Sequence, residues 1–234
     1  MQLFKQDAVE WLSTLPDGSV DLLITDPPYE SLEKHRAVGT TTRLKKSKGS
    51  SNKWFSIFPN QRFEALFEQV YRVLKNNSHF YLFCDQETMF YIKPIAEQMG
   101  FKFWKPIVWD KVAIGMGYHY RARYEFILFF EKGKRKLNNL GIPDILEEKR
   151  VYRGYPTEKP VPLIETLIEQ SSSEGDIVVD PFFGSGSTMI AANNLKRIPY
   201  GSDISDDAHA YLSQRLCVST EKYQQASCLV EAQF

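Results

Sequence analysis

The stretch DIVVDPFFGSGST, residues 176–188, contains the features from which the fold of this chain can be predicted. It starts with a short apolar run rich in β-branched residues, which is typical of a buried strand. An acid and a proline end that run, and a glycine-serine turn leads into residues 189–195, which are predicted to be helical. Strand, glycine turn and helix form the corner in which α/β folds bind nucleotides, because glycine lets the backbone approach the ligand closely.

The spacing of the glycines in this turn excludes two common nucleotide-binding motifs. Residues 187–189 are Ser-Thr-Met, so the third glycine of a G-x-G-x-x-G dinucleotide motif is missing. The turn also lacks G-K-[ST], which excludes a P-loop. A plain strand-to-helix turn without a ligand is the structural alternative.

A second stretch, VDLLITDPPY at residues 20–29, carries the candidate chemistry. Its apolar run is ended by proline and predicts a buried strand that stops at Asp26. The stretch therefore brings a carboxylate, a rigid double proline and an aromatic ring to the C-terminal edge of a sheet, where open α/β folds bind ligands. This set suits a planar amino group, whose two N–H bonds need an acid oxygen and a fixed carbonyl. A strand-ending Asp followed by a proline turn is the alternative.

The tetrad Asp26-Pro27-Pro28-Tyr29 resembles the catalytic motif of the amino-methyltransferases, which methylate exocyclic nitrogens of nucleobases from S-adenosylmethionine. Residues 180–188 match the cofactor motif D-P-F-x-G-S-G-[ST] of the same family. With the tetrad near the N-terminus and the cofactor loop near the C-terminus, the order resembles the β class of DNA amino-methyltransferases. Residues 155–160, YPTEKP, resemble the H-P-T-x-K-P segment of that class, with Tyr155 in place of the usual His.

The resemblance implies a catalytic role for each member of the tetrad. Asp26 and the Pro27 carbonyl would accept hydrogen bonds from the target amine, Pro28 would fix the turn, and Tyr29 would stack on a base flipped out of the duplex. Asp before P-P-Y is typical of N6-adenine enzymes and Ser of N4-cytosine enzymes, so a site-specific DNA N6-adenine methyltransferase is the leading interpretation. An N4-cytosine methyltransferase and a catalytically silent nucleic-acid-binding subunit remain alternatives.

The resemblance also implies S-adenosylmethionine as the cofactor. Its methionine side would contact residues 182–186, its ribose Asp203, and its adenine ring Ile204, whereas Lys159 is a weaker candidate for its carboxylate. The full set of implied cofactor residues is Asp7, Ala8, Thr157, Asp180, Phe182, Phe183, Gly184, Ser185, Gly186, Asp203 and Ile204. Asp7 and Ala8 would hold the adenine amino group and Thr157 the carboxylate end, while Asp203 could instead cap the following helix.

The formal net charge of the chain is zero, but the charges are segregated along it. Residues 30–53 hold seven Lys or Arg and two Glu, and residues 111–136 hold the same numbers. Such segregation predicts a phosphate-binding face on an otherwise acidic body, although solvated loops are the commoner explanation of charge runs. The residues expected to bind double-stranded DNA are Arg36, Arg43, Lys45, Lys46, Lys48, Arg121 and Arg123.

The pattern of elements predicts one domain, residues 1–234, with two insertions. These are a mobile basic loop at 31–53 and a small, irregular target-recognition region at 133–155. Alternating strands and helices predict a doubly wound, mainly parallel sheet. The resemblance implies the class I S-adenosylmethionine-dependent methyltransferase fold, with seven strands of which residues 124–131 form the antiparallel one.

Composition argues against several other classes of protein. The N-terminus has no basic region followed by a long apolar stretch, and no stretch approaches a membrane span, so neither a signal peptide nor membrane attachment is expected. Three Cys without C-x-x-C spacing and four scattered His give no expectation of disulfides or a metal site, and favour a cytoplasmic location. The class implies a homodimer, and a cognate restriction endonuclease is a candidate partner.

Overall fold

A mixed β-sheet organises the computed structural model, which describes residues 1–30, 56–115, 120–152 and 154–217. These residues contribute eight strands: β1 Gln2–Phe4, β2 Val20–Thr25, β3 Leu74–Cys84, β4 Lys102–Asp110, β5 Tyr124–Lys132, β6 Ile145–Glu147, β7 Ile177–Asp180 and β8 Ile198–Ser202. Their order in the sheet is β1-β8-β7-β2-β3-β5-β4-β6. Strand β5 runs antiparallel to β3 and β4, and every other pair is parallel, as the family resemblance implied.

Helices cover both faces of this sheet, because successive side chains of each strand point to opposite sides. The helices are α1 Ala8–Thr14, α2 Phe63–Val73, α3 Gln86–Gln98, α4 Val161–Ser171, α5 Ser187–Asn194, and α6 at 206–217. On β2, Leu23 packs into the core beneath α1, α2 and α3, whereas Leu22 and Ile24 pack beneath α4 and α5. The doubly wound α/β prediction is confirmed.

Most of the predicted elements have close counterparts, and one strand was not foreseen. The described residues form eight strands instead of seven, since β6 adds to the free edge of β4 through the pairs Val108↔Ile145 and Asp110↔Glu147. The expectation that 133–155 is irregular throughout was therefore wrong for these three residues. Among the described residues, no helix is both long and apolar enough to span a membrane.

The topology places the two predicted motifs side by side. Strand β2 pairs with β7 through Leu23↔Val179, and β7 pairs with β8 through Asp180↔Gly201. These strands are parallel, so their carboxyl ends lie at one edge of the sheet. The residues that follow β2, β7 and β8 therefore meet there, as ligand-binding residues do in open α/β sheets.

Candidate active site

Contacts made by Thr25 and Phe58, which adjoin the tetrad, join this part of the chain to the cofactor motif. The Thr25 hydroxyl, at the end of β2, donates to Asp180 Oδ1 at the end of β7 over 3.0 Å. The rings of Phe58 and Phe182 meet edge to face with their centroids 5.1 Å apart. The two motifs therefore lie side by side at this edge of the sheet.

Asp26 belongs to an alternating chain of charges at this edge. Lys159 Nζ donates to Asp26 Oδ2 and lies 3.4 Å from Glu125 Oε1. The second oxygen of Glu125 lies 3.1 Å from Lys111 Nζ. The Lys159 side chain is 9% exposed and that of Asp26 is 24% exposed, so the carboxylate can still be reached while its lysine is enclosed.

The protonation equilibria of these groups follow from burial and from their neighbours. Burial raises the pKa of Asp26 to about 6, with Lys159 opposing the rise and Glu125 adding to it. Burial would also raise the pKa of Glu125, but Lys159 and Lys111 outweigh it and hold that pKa below its ordinary value. Although burial alone would lower the pKa of Lys159, its two carboxylate partners raise it. Lys159 therefore stays charged, and Asp26 is mostly ionised at neutral pH.

The remaining tetrad residues form a rigid turn after β2. The Pro28 carbonyl accepts a hydrogen bond from Phe58 N over 2.7 Å, whereas within the described part of the chain no donor reaches the Pro27 carbonyl. Tyr29 is 7% exposed and belongs to the core beneath α1 and α2. At 7% exposure, Tyr29 leaves little surface on which a base could stack.

The glycine turn takes the backbone path that its composition predicted. Gly184 and Gly186 have φ angles of +47° and +78°, in the left-handed region that disfavours other residues. Phe183 is 3% exposed and packs beneath the turn, and Ser185 and Ser187 are also buried. Only part of the predicted cofactor set therefore faces outward in this turn.

Asp180 supports the turn from inside. It is 3% exposed and accepts hydrogen bonds from Thr25 Oγ1, from Phe182 N and from the Thr188 side chain. Burial raises its pKa to about 7, although these hydrogen bonds act to lower that pKa. Its contact with the cofactor remains a prediction.

Asp203 and Ile204, which follow β8, have the chemistry that a nucleoside requires. Asp203 accepts from Gly184 N over 2.9 Å with one oxygen and from Ser205 N over 2.8 Å with the other. Each carboxylate oxygen can accept a further hydrogen bond, so the loop-capping role does not exclude ribose hydroxyls. Ile204 is 51% exposed, which leaves an apolar surface beside this acceptor. A hydroxyl acceptor, an exposed apolar side chain and a turn with two left-handed glycines fit S-adenosylmethionine.

Asp7 and Ala8 lie across this end of the sheet, where β1 meets α1. Asp7 caps α1 by accepting from Val9 N, and both of its oxygens bind the guanidinium of Arg62, at 2.6 and 2.8 Å. The hydrogen bonds from Arg62 lower the pKa of Asp7 despite its partial burial. Ala8 is 2% exposed. Arg62 fixes the orientation of Asp7, and sequence reasoning did not find it.

The segment 154–160 packs between α6 and the cofactor turn. Tyr155, which replaces the family's His, is buried against Phe183 and Leu212, and burial raises its pKa to about 12. Thr157 is exposed and has a φ of +65°, a strained value for a β-branched residue, and its contact with the cofactor stays a prediction. The ion pair from Glu158 to Arg215 spans 3.2 Å.

The predicted DNA-binding residues divide into two groups. Arg121 and Arg123 are exposed at the end of the β4–β5 hairpin, where they donate to the Gly115 carbonyl and to Asp110 Oδ1. The predicted DNA-binding residues of the first basic segment lie outside the described residues. They are Arg36, Arg43, Lys45, Lys46 and Lys48. Lys111, which was counted with the second basic run, turns inward to Glu125 and does not belong to an open basic surface.

Sequence reasoning missed the charged residues that organise the site. Lys159 was a weak candidate for the cofactor carboxylate, whereas the structure places its ammonium group on Asp26. Glu125 carried a usable signal, because it is an acid near the start of the otherwise apolar segment 124–130, and a buried acid needs a partner. Arg215 gave no local signal, and its contacts with Ser185 O and Ser187 Oγ depend on how α6 packs.

Comparisons with known proteins agree with this geometry. A family model described as DNA methylase, for N6 and N4 methyltransferases, matches residues 20–214. The Type II methyltransferase M.HpaI of Haemophilus parainfluenzae is 30% identical over 243 residues, which cover 92% of this chain and 74% of that protein. The solved M1.HpyAVI–SAM complex has a TM-score of 0.67 and 25% identity, over 92% of this chain and 98% of the other.

A more distant structure shares the fold alone. The PvuII DNA methyltransferase, described as cytosine-N4-specific, superposes with a TM-score of 0.72 at 16% identity, over 90% of this chain and 84% of that one. The family match spans the tetrad, the charge chain and the cofactor turn. The chain therefore belongs to the N6/N4 DNA methylase family and is an S-adenosylmethionine-dependent DNA methyltransferase.

Proposed function

We propose that this enzyme methylates the N6 amino group of adenine in duplex DNA. The observation that carries the proposal is Asp26 at the first position of the tetrad, at the sheet edge beside the cofactor turn. Asp in that position is typical of the N6-adenine members of the family. The fold does not discriminate between the bases, since a cytosine-N4-specific enzyme shares it.

The proposed roles follow from the hydrogen-bonding capacity of the site. Asp26 Oδ2 is taken by Lys159, so Oδ1 would accept one N–H of the target amine and the Pro27 carbonyl the other. Both bonds draw the nitrogen lone pair out of the ring plane and stabilise the positive charge that develops on the nitrogen. Bound S-adenosylmethionine supplies a methyl group that its sulfonium has already activated. Positioning and electrostatics are therefore the contributions left to the chain.

In the transfer, the target nitrogen would accept the methyl group from the sulfonium, the electron pair of the broken sulfur–carbon bond would stay on sulfur, and the nitrogen would then lose one proton. Asp26 Oδ1, hydrogen-bonded to that nitrogen, would receive the proton and pass it to solvent. Since a base inside a duplex cannot reach a carboxylate at the end of a buried strand, the adenine would be flipped out.

The remaining proposals concern partners and site residues. Duplex DNA would lie against the side of the site that carries Arg121 and Arg123, which are exposed. Asp203 and Ile204 would hold the nucleoside part of the cofactor. A second copy of the chain and a cognate restriction endonuclease, as in a restriction–modification system, complete the proposed setting.

Nucleoside analysis tests the proposed base. The chain is expressed in a host that lacks its own DNA methyltransferases, and the hydrolysed DNA is examined by mass spectrometry. N6-methyladenine is the expected product. N4-methylcytosine would overturn the proposal in favour of the cytosine alternative, and no methylated base together with no calorimetric binding of S-adenosylmethionine would favour a silent subunit. Modified-base sequencing of the same DNA identifies the recognition sequence.

A further inference from the structure

Lys159 contacts both halves of the site, and the proposed chemistry does not yet use it. Its side chain reaches Asp26, while its backbone carbonyl accepts a hydrogen bond from Ser187 Oγ in the cofactor turn over 2.7 Å. The side chain is 9% exposed and its Nζ lies 5.1 Å from the centroid of the Phe83 ring. A lysine held so closely on three sides has few other positions open to it.

Glu125 explains why this lysine points at Asp26. It projects from the start of β5 and is 14% exposed, with one oxygen 3.4 Å from Lys159 Nζ and the other 3.1 Å from Lys111 Nζ. A lone buried lysine would tend to lose its charge, and a lone buried acid would tend to gain a proton. Each charge in this spatial row lies beside an opposite one; the order is Asp26, Lys159, Glu125 and Lys111.

We propose that Lys159 and Glu125 are positioning residues for methyl transfer: Lys159 holds Asp26 ionised, with one oxygen turned to the target amine, and Glu125 holds Lys159 in place. This inference rests on the proposed role of Asp26. A protonated Asp26 would present a hydroxyl donor where the amine needs an acceptor. Protonation of Asp26 would therefore stop catalysis without removing any atom from the site.

Other acidic groups lie around Asp26, so a neighbouring cation is needed to keep Asp26 ionised. Asp180 projects from the end of β7, and Cys84, Asp85 and Tyr29 lie near the end of β3 and in the tetrad turn. Negative charge on Glu125, on Asp85 and on an ionised Asp180 disfavours a further carboxylate, whereas Cys84 and Tyr29 stay neutral because burial raises their pKa. The cations of this set within the described residues are Lys159, which touches Asp26, and Lys111, which touches Glu125.

The test measures kcat/KM against pH for Lys159→Met, because the acidic limb of that profile reports an essential base of the free enzyme. An opposite charge at contact lowers the pKa of an acid by about 1–3 units, so its loss should move the acidic limb upward by that amount. A two-unit shift from a pKa of about 6 would cut the rate about tenfold near neutral pH. The rate should recover at higher pH.

Three further variants test the direction in which the acidic limb should move. Glu125→Gln removes a like charge but keeps an amide oxygen that can still accept from Lys159 Nζ, so it should move the acidic limb downward. The double variant Lys159→Met/Glu125→Gln should return it towards the wild-type position, and Lys159→Arg, which keeps the charge, should resemble the wild type. Lys105→Met is the matched control, since it removes an exposed lysine whose partner is Asp144, and its profile should not move.

The substrate is a duplex that contains the recognition sequence found by modified-base sequencing, and calorimetry with S-adenosylmethionine confirms that each variant is folded. An unchanged acidic limb in folded Lys159→Met, or a loss of rate equal at every pH, would overturn the inference. If Lys159→Met does not fold, the opposite shift expected in Glu125→Gln decides it. Asp26→Ala separates the two proposals: full activity there would overturn the proposed function itself, whatever Lys159 does.

Discussion

Replacement of Asp180 by Asn should change how the stability of the protein depends on pH. The carboxyl is 3% exposed, and burial raises its pKa from 3.8 to about 7. It therefore binds its proton more tightly in the folded than in the unfolded chain. Between about pH 4 and pH 7 the folded state carries the additional proton, so the free energy of unfolding falls as pH rises through this range.

The size of the effect follows from the shift. About three pKa units correspond to about 4 kcal/mol, which the wild type should lose between about pH 4 and pH 8 through this one group. Asn cannot ionise, so Asp180→Asn should lack this loss. Its amide oxygen can still accept from Thr25 Oγ1 and Phe182 N, and its amide nitrogen can donate to the Thr188 hydroxyl.

The assay is urea unfolding at a series of pH values, followed by tryptophan fluorescence. Asp176→Asn is the control, because it changes a carboxylate near the other end of β7 that accepts from Ser173 N at the surface, and it should keep the wild-type pH dependence. Parallel wild-type and Asp180→Asn curves would refute the argument. Calorimetry with S-adenosylmethionine on the same variant tests the separate prediction that Asp180 contacts the cofactor, which requires a loss of affinity.

Three other perturbations should separate cofactor binding from DNA binding. Asp203→Ala should weaken S-adenosylmethionine binding by about 1.5–3 kcal/mol for each charge-assisted ribose bond lost, with DNA affinity little changed; unaltered calorimetry would leave Asp203 only its loop-capping role. Arg215→Met should lower the melting temperature and also weaken cofactor binding. It removes an ion pair and two hydrogen bonds behind the cofactor turn. A cofactor affinity equal to that of the wild type would contradict this prediction. Joint replacement by Ala of three lysines should flatten the salt dependence of log K for duplex DNA by about 0.9 per phosphate contact, without changing the methylated base, and a wild-type slope would show that they do not bind phosphate. The three lysines are Lys45, Lys46 and Lys48.

Strand positions could be predicted where apolar runs have sharp ends. An acid and a proline end the apolar runs of β2 and β7, so both strands were expected at the residues where they occur. Strand β6 could not be found this way. Three residues are too few to show a period of two, and its pairing with β4 depends on contacts made after the chain folds.

The candidate site was predictable in its motifs and not in its charge chain. Asp26 and the glycine turn lie in local patterns whose meaning does not depend on distant residues. The partner of Lys159 does depend on distant residues. Lys159 and Asp26 are 133 positions apart in the sequence and meet only after β2 and α4 have packed. A lysine in Y-P-T-E-K-P could point to solvent, to the cofactor or to a carboxylate. The buried position of Glu125 decides among them.

The pairing of β1 with β8 has a consequence for the synthesis of this protein. Gln2 pairs with Tyr200 and Phe4 with Ser202, so β1 forms its sheet contacts only after about two hundred further residues have been synthesised. Contacts so distant in sequence form slowly during folding. Asp7 and Asp203, which follow these two strands, would come together at the same late moment. A nascent chain stopped before β8 would contain the tetrad and the glycine turn but lack Asp203, and we expect such fragments to have no methyltransferase activity.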